Sequence, residues 1–91
     1  MDVTKTLEQR GGRYGTFEDN ARITQKFMKA LSEGTNFESL SDVHKEAYHM
    51  ILHKICRSVN GDPWYDDNIH DVIGYAKLLE DYIRNHNANQ S

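Results

Sequence analysis

The residues able to do chemistry in this sequence are cations, carboxylates and tyrosines, grouped in three places. The first is Arg13-Tyr14-Gly15, preceded by Gly11-Gly12. It offers a guanidinium for phosphate and a phenol ring for stacking a base. The plainer reading is a linker whose tyrosine tacks onto the core. The second is Lys54 with Arg57, and the third is Asp67-Asn68 with Asp71 and Tyr75. On a helical wheel Lys54 falls among Val43, Ala47 and Met50, so it either snorkels out or meets an anion. Arg57 follows at i+3 on the edge of that stripe. Asp67 and Asp71 share a face at i, i+4, with Tyr75 one turn further and Asn68 beside them.

Antiparallel packing of the two helices that carry these groups brings Lys54 and Arg57 near Asp67 and Asp71. That arrangement reads either as a structural ion-pair network or as the wall of a polar pocket. His49 and His53 have the i, i+4 spacing of a zinc-binding helix, but no glutamate follows His49, and a solvated histidine edge is the commoner case. Asp66, Asp67 and Asp71 are enough in principle for a magnesium ion that keeps most of its waters. No nucleophile–base arrangement is legible, so no catalytic, metal or cofactor site is assigned.

The elements that must position these groups are helices. Residues 2–10 form a short arm, ended by Gly11-Gly12. Thr16 caps a helix that runs to about Ser32, and Gly34 suits the left-handed position after it. Ser41 or Ser39 caps a third helix reaching about Val59, with an apolar arc broad enough to meet more than one neighbour. Asp66 or Asp67 caps a fourth, reaching about Asn85, with Ile69, Val72, Ile73, Ala76, Leu79 and Ile83 as its stripe. Trp64-Tyr65 reads as a plug over the helix ends, or as a stacking surface. Residues 85–91 read as a frayed tail. The expectation is an all-α fold, one domain over 1–91, built as a compact bundle of three main helices plus an arm over 1–12.

The 91 residues carry 27% charged side chains and a formal net charge of −3. That balance argues against a DNA or RNA partner held through phosphate contacts. Cys56 is the single cysteine and reads as a small buried hydrophobe. No apolar run has the length of a signal peptide or a membrane span, so a cytoplasmic protein with no membrane partner is expected. A core this small favours self-association, and Gly74 with Leu78 offers a face for close helix contact between copies.

Arg13-Tyr14-Gly15, Asp19-Asn20-Ala21, His53-Lys54-Ile55-Cys56-Arg57, Asp67-Asn68, Asp71 and Gly74-Tyr75-Ala76 resemble the pattern of a family of small phage and prophage proteins, over residues 8 to 83. More distantly the chain is similar to an all-α domain associated with phage nucleotide modification, and through it to MazG-type nucleotide pyrophosphatases. The resemblance implies an all-α fold, a host-cell cytoplasmic setting and a nucleotide-like ligand. The chain departs from the MazG pattern by presenting Lys45, Lys54 and Arg57 where that pattern has metal-binding glutamates. The expectation is therefore a non-enzymatic protein that sequesters a nucleotide-like anion, such as a host defence signal. Arg13, Lys54 and Arg57 would take phosphate, Tyr14 or Tyr75 the base, and Asp67, Asn68 and Asp71 the ribose or base edges. The alternatives are a divergent magnesium-dependent pyrophosphatase and an inhibitor that binds a host enzyme.

Overall fold

A computed structural model describes residues 2–90, and among these it is all-helical, with four α helices and no strand. The helices are α1 (Val3–Tyr14), α2 (Phe17–Leu31), α3 (Asp42–Asn60) and α4 (Asp67–Gln90), with a 3-10 turn at Phe37–Ser39. The starts follow from side-chain caps. Asp2 accepts from the amides of Thr4 and Lys5, Thr16 from Asp19, and Ser41 from His44. Each satisfies an amide that the first turn leaves without an intrahelical partner.

Three boundaries differ from the sequence expectation. The arm does not stop at Gly11-Gly12 but continues through both glycines to Tyr14. Two helical glycines cost about 1 kcal/mol each, and tertiary contacts of the last turn offset this. The amide of Asp62 donates to the Arg13 carbonyl at 2.9 Å, and the amide of Gly15 closes the helix onto Gly11. Gly34 is not left-handed. Its amide and that of Glu33 turn back onto Leu31 and Ala30, and Gly15 is the sole residue with positive φ among those described. α4 passes Asn85 and is helical to Gln90, and Ser91, the last residue of the tail, lies outside the described residues.

α3 lies in the middle and touches the other three helices, α4 most extensively. α2 and α4 flank it, and α1 crosses its second half. The molecule is longer than the compact bundle expected, at 53 × 25 × 25 Å with a radius of gyration of 15.7 Å, against about 12 Å for a compact chain of this length. The 24 residues of α4 alone span about 36 Å, and α2 and α4 each pack chiefly on α3 rather than on each other. Ala47, Cys56 and Leu79 are the buried hydrophobic residues, and Asn20, Thr24 and Asn68 are buried beside them. Cys56 is thus the buried hydrophobe its flanks suggested. Asn20 joins three elements: its Nδ2 donates to the Tyr14 carbonyl at 2.6 Å, and Asn60 Nδ2 donates to its Oδ1 at 3.0 Å. Thr24 Oγ1 and Asn68 Nδ2 have no hydrogen-bond partner among the described residues.

Candidate functional site, a cationic cleft between α1 and α3

The last turn of α1, the start of α2 and the second half of α3 enclose a cleft of about 440 Å³. Leu7, Arg10, Tyr14, Phe17, His53 and Arg57 are among its lining, and no carboxylate is. Gly15 sets the corner. Its φ of 78° and ψ of −178° turn the chain from α1 into α2, a region open essentially to glycine alone. A Cβ there would sit 2.6 Å from Asn60 Cβ, so the turn also needs glycine for space.

Tyr14 is the centre of the charge arrangement. The Arg57 guanidinium lies 4.7 Å and that of Arg10 5.2 Å from its ring centroid. Such contacts are attractive because the π face is electron-rich. Neither arginine has a carboxylate partner within ion-pair distance among the described residues. Tyr65 meets Tyr14 edge-on, with centroids 5.9 Å apart. Arg13 reaches the other way, with its guanidinium 4.8 Å from the Tyr65 ring and Nη1 donating to the Tyr65 hydroxyl at 3.2 Å. The Tyr65 hydroxyl in turn donates to Asp67 Oδ2 at 2.8 Å. That hydrogen bond, with a second contribution from Tyr14, raises the Tyr65 pKa above the ordinary phenol value.

The sequence-predicted residues therefore divide. Tyr14 and Arg57 line the cleft, while Arg13 and Asp67 are tied to Tyr65 at its back. Lys54 lies outside the cleft, paired with Asp71 at 2.9 Å. Tyr75 lines a separate, shallow depression with Asp71, Gly74 and Leu78. Asn68 is 2% exposed, because its place on the α4 wheel turns it toward α3. The ion-pair network and the pocket wall are thus separate features.

Arg10, His53 and Phe17 were not singled out as ligand contacts from the sequence, and Tyr65, read with Trp64 as a plug or a stacking surface, lies edge-on to Tyr14. Arg10 stands i, i+4 to Tyr14, and His53 stands i, i+4 to Arg57. The first spacing was legible once the arm was taken as helical through its glycines, and the second directly on α3. Trp64 does not plug the helix ends: it is 91% exposed, because the Asp62–Pro63 turn directs it outward while Tyr65 folds inward. Among the described residues no group of three or more His, Cys, Asp or Glu side chains is placed to hold a metal ion, Asp66, Asp67 and Asp71 included.

His53 gives the cleft a pH dependence. Burial, then the charges of Arg57 and Lys54, with His49 adding, hold its pKa below the ordinary 6.5. A depressed imidazole favours the folded state when neutral, so its contribution is complete above the ordinary value. It declines as pH falls toward the folded pKa, since the unfolded chain takes up the proton first. NMR titration should place the His53 midpoint below those of exposed histidines. His53→Gln should flatten the thermal stability profile between about pH 5 and 7. A His53 midpoint at or above the ordinary value would remove this account.

Compared with protein-family models, with curated proteins and with solved structures, the chain matches none. No helix among the described residues is long and apolar enough to cross a membrane.

Proposed function

We propose that this chain binds a nucleotide-like anion in the cleft between α1 and α3 and holds it without turnover. The observation that carries the reading is the cleft's charge. In a protein of net charge −3, the guanidiniums of Arg10 and Arg57 line one concave site with no carboxylate to neutralise them, beside a neutral His53. Unpaired guanidiniums on a tyrosine platform suit phosphate, which accepts their planar donors two at a time. The start of α2, at Thr16 and Phe17, adds the positive end of a helix dipole.

The ring of Tyr14 is engaged by both guanidiniums, so the planar part of a ligand falls to Phe17, 80% exposed at the rim, with Leu7 beside it. The volume lies within the range of about 300–1,000 Å³ usual for small-molecule sites. Arg13, Asp67 and Tyr65 support Tyr14 from behind, and the Lys54–Asp71 pair fixes α3 against α4. Sequestration of a nucleotide signal in a host cytoplasm is the setting the phage resemblance implies. A magnesium-dependent pyrophosphatase has less support, because Asp67 accepts from Tyr65 and Asp71 is paired with Lys54.

Thermal unfolding of the purified protein with linear and cyclic nucleotides, and with inorganic phosphate, each with and without magnesium, tests the reading. A ligand at 100 times its Kd should add about 2.7 kcal/mol to the folded state, or roughly 10–20 °C for a chain of this size. Stabilisation that does not depend on magnesium, with the nucleotide recovered intact, is expected. No shift with any nucleotide, or magnesium-dependent release of pyrophosphate, would overturn it.

A further inference from the structure

Opposite the cleft, the helical layer presents an uncovered apolar face. At about 100° per residue, Tyr48, Ile55 and Val59 fall on one strip of α3, turned away from the α1 side marked by His53 and Arg57. The Lys54–Asp71 pair fixes how α4 is rolled against α3. That roll turns Ile69 and Ile73 to the same side as the α3 strip, and the packing of Thr24 against α3 turns Phe27 there from α2. Val59 is 76% exposed, Ile73 62% and Ile69 57%. The α3 strip carries no charged residue.

The surface area states how much is left uncovered. The protein exposes 6929 Å², whereas a monomeric globular protein of its 10.6 kDa mass exposes roughly 5,500 Å². The excess is roughly 1,400 Å², while a stable interface takes about 800 Å² from each partner and obligate dimers take more. Domains are built from two packed layers, and α2, α3 and α4 make one. On the cleft side α1 covers part of it; on this side the connection at Phe37 and Leu40 reaches Tyr48, and no helix among the described residues covers Ile55 and Val59.

We infer that a second copy of this chain covers the face, through a twofold contact centred on Val59, Ile55 and the Ile69–Ile73 strip. One apolar patch meeting itself is the geometry of an isologous dimer. The whole-molecule excess is larger than the ~800 Å² that a stable interface takes from each protomer. This twofold contact differs from one through Gly74 and Leu78, which lie on the opposite flank of α4 beside Asp71. It leaves the cationic clefts open on the two outer faces, so dimerisation and anion binding are separable.

Sedimentation equilibrium of the full chain should give twice the 10.6 kDa protomer mass, with a melting temperature that rises with protein concentration. Val59→Glu and Ile73→Glu should each weaken the dimer on the order of 100-fold, and Leu78→Glu should leave it intact. Where a glutamate variant unfolds, Ile73→Ala, which removes area without adding charge, should still lower the dimer fraction at a given concentration. A wild-type monomer from low to high micromolar concentration, with a melting temperature independent of concentration, would overturn the inference. So would a dimer broken by Leu78→Glu and untouched by Val59→Glu, or a face covered by another protein while the purified chain alone stays monomeric.

Discussion

Arg57→Ala is expected to weaken nucleotide binding by roughly 10- to 100-fold, because each charge-assisted hydrogen bond to phosphate is worth about 1.5–3 kcal/mol. The guanidinium lies 4.7 Å from the Tyr14 ring centroid, so the side chain is oriented before a ligand arrives and little of the binding energy goes into ordering it. Arg57→Lys should recover only part of the affinity. An ammonium keeps the charge but lacks the planar fork and stacks poorly on a ring. Removing Arg10 as well should abolish binding, since the cleft then keeps His53 alone, neutral near pH 7. The fold should survive these changes, because a cation–π contact at a partly exposed site is worth only about 0.5–1 kcal/mol. Calorimetric titration with circular dichroism as the folding control measures both effects. Undiminished affinity in the double variant would place the ligand elsewhere on the molecule.

The second large effect concerns stability. Gly15→Ala is expected to cost about 3 kcal/mol or more, from backbone strain of about 1–3 kcal/mol and overpacking of similar size. The strain arises because φ is 78° with an extended ψ. The overpacking arises because the new methyl meets Asn60, which cannot step aside while its amide is held by Asn20. Gly12→Ala supplies the contrast within the same helix. Nothing lies within 4 Å of its Cβ position, so alanine there should stabilise by about 0.5–1 kcal/mol. Urea unfolding of the two variants would separate them by several kilocalories per mole. Equal midpoints would show that the α1–α2 corner is not held as described.

Most of the helical organisation was legible in the sequence because it rests on local chemistry. Thr16 and Ser41 cap because a hydroxyl can reach an amide three residues on, whatever the rest of the molecule does. The apolar spacing on α3 and α4 marks helices for the same reason. Gly11-Gly12 was misleading because propensity is a local average. The contacts that hold α1 helical through them, from Asp62 and around Tyr14, come from distant parts of the chain.

The cleft was legible only in part. Tyr14 and Arg57 were identified by type, but Arg10 depends on a helix whose end was set by tertiary contacts, and His53 joins the site only because α1 packs against that side of α3. Residue type and spacing alone determined that this is an all-helical chain with a modest apolar core, one helix carrying Lys54 and Arg57 and another Asp67 and Asp71. Only the tertiary structure decided that Lys54 is paired with Asp71 while Arg57 lies over the Tyr14 ring. The two cations stand three residues apart on one helix, roughly 60° apart around its axis, and that rotation carries one to α4 and the other to α1. Spacing specifies the rotation, but not which neighbour stands at each angle, because neighbours are chosen by packing across the whole chain.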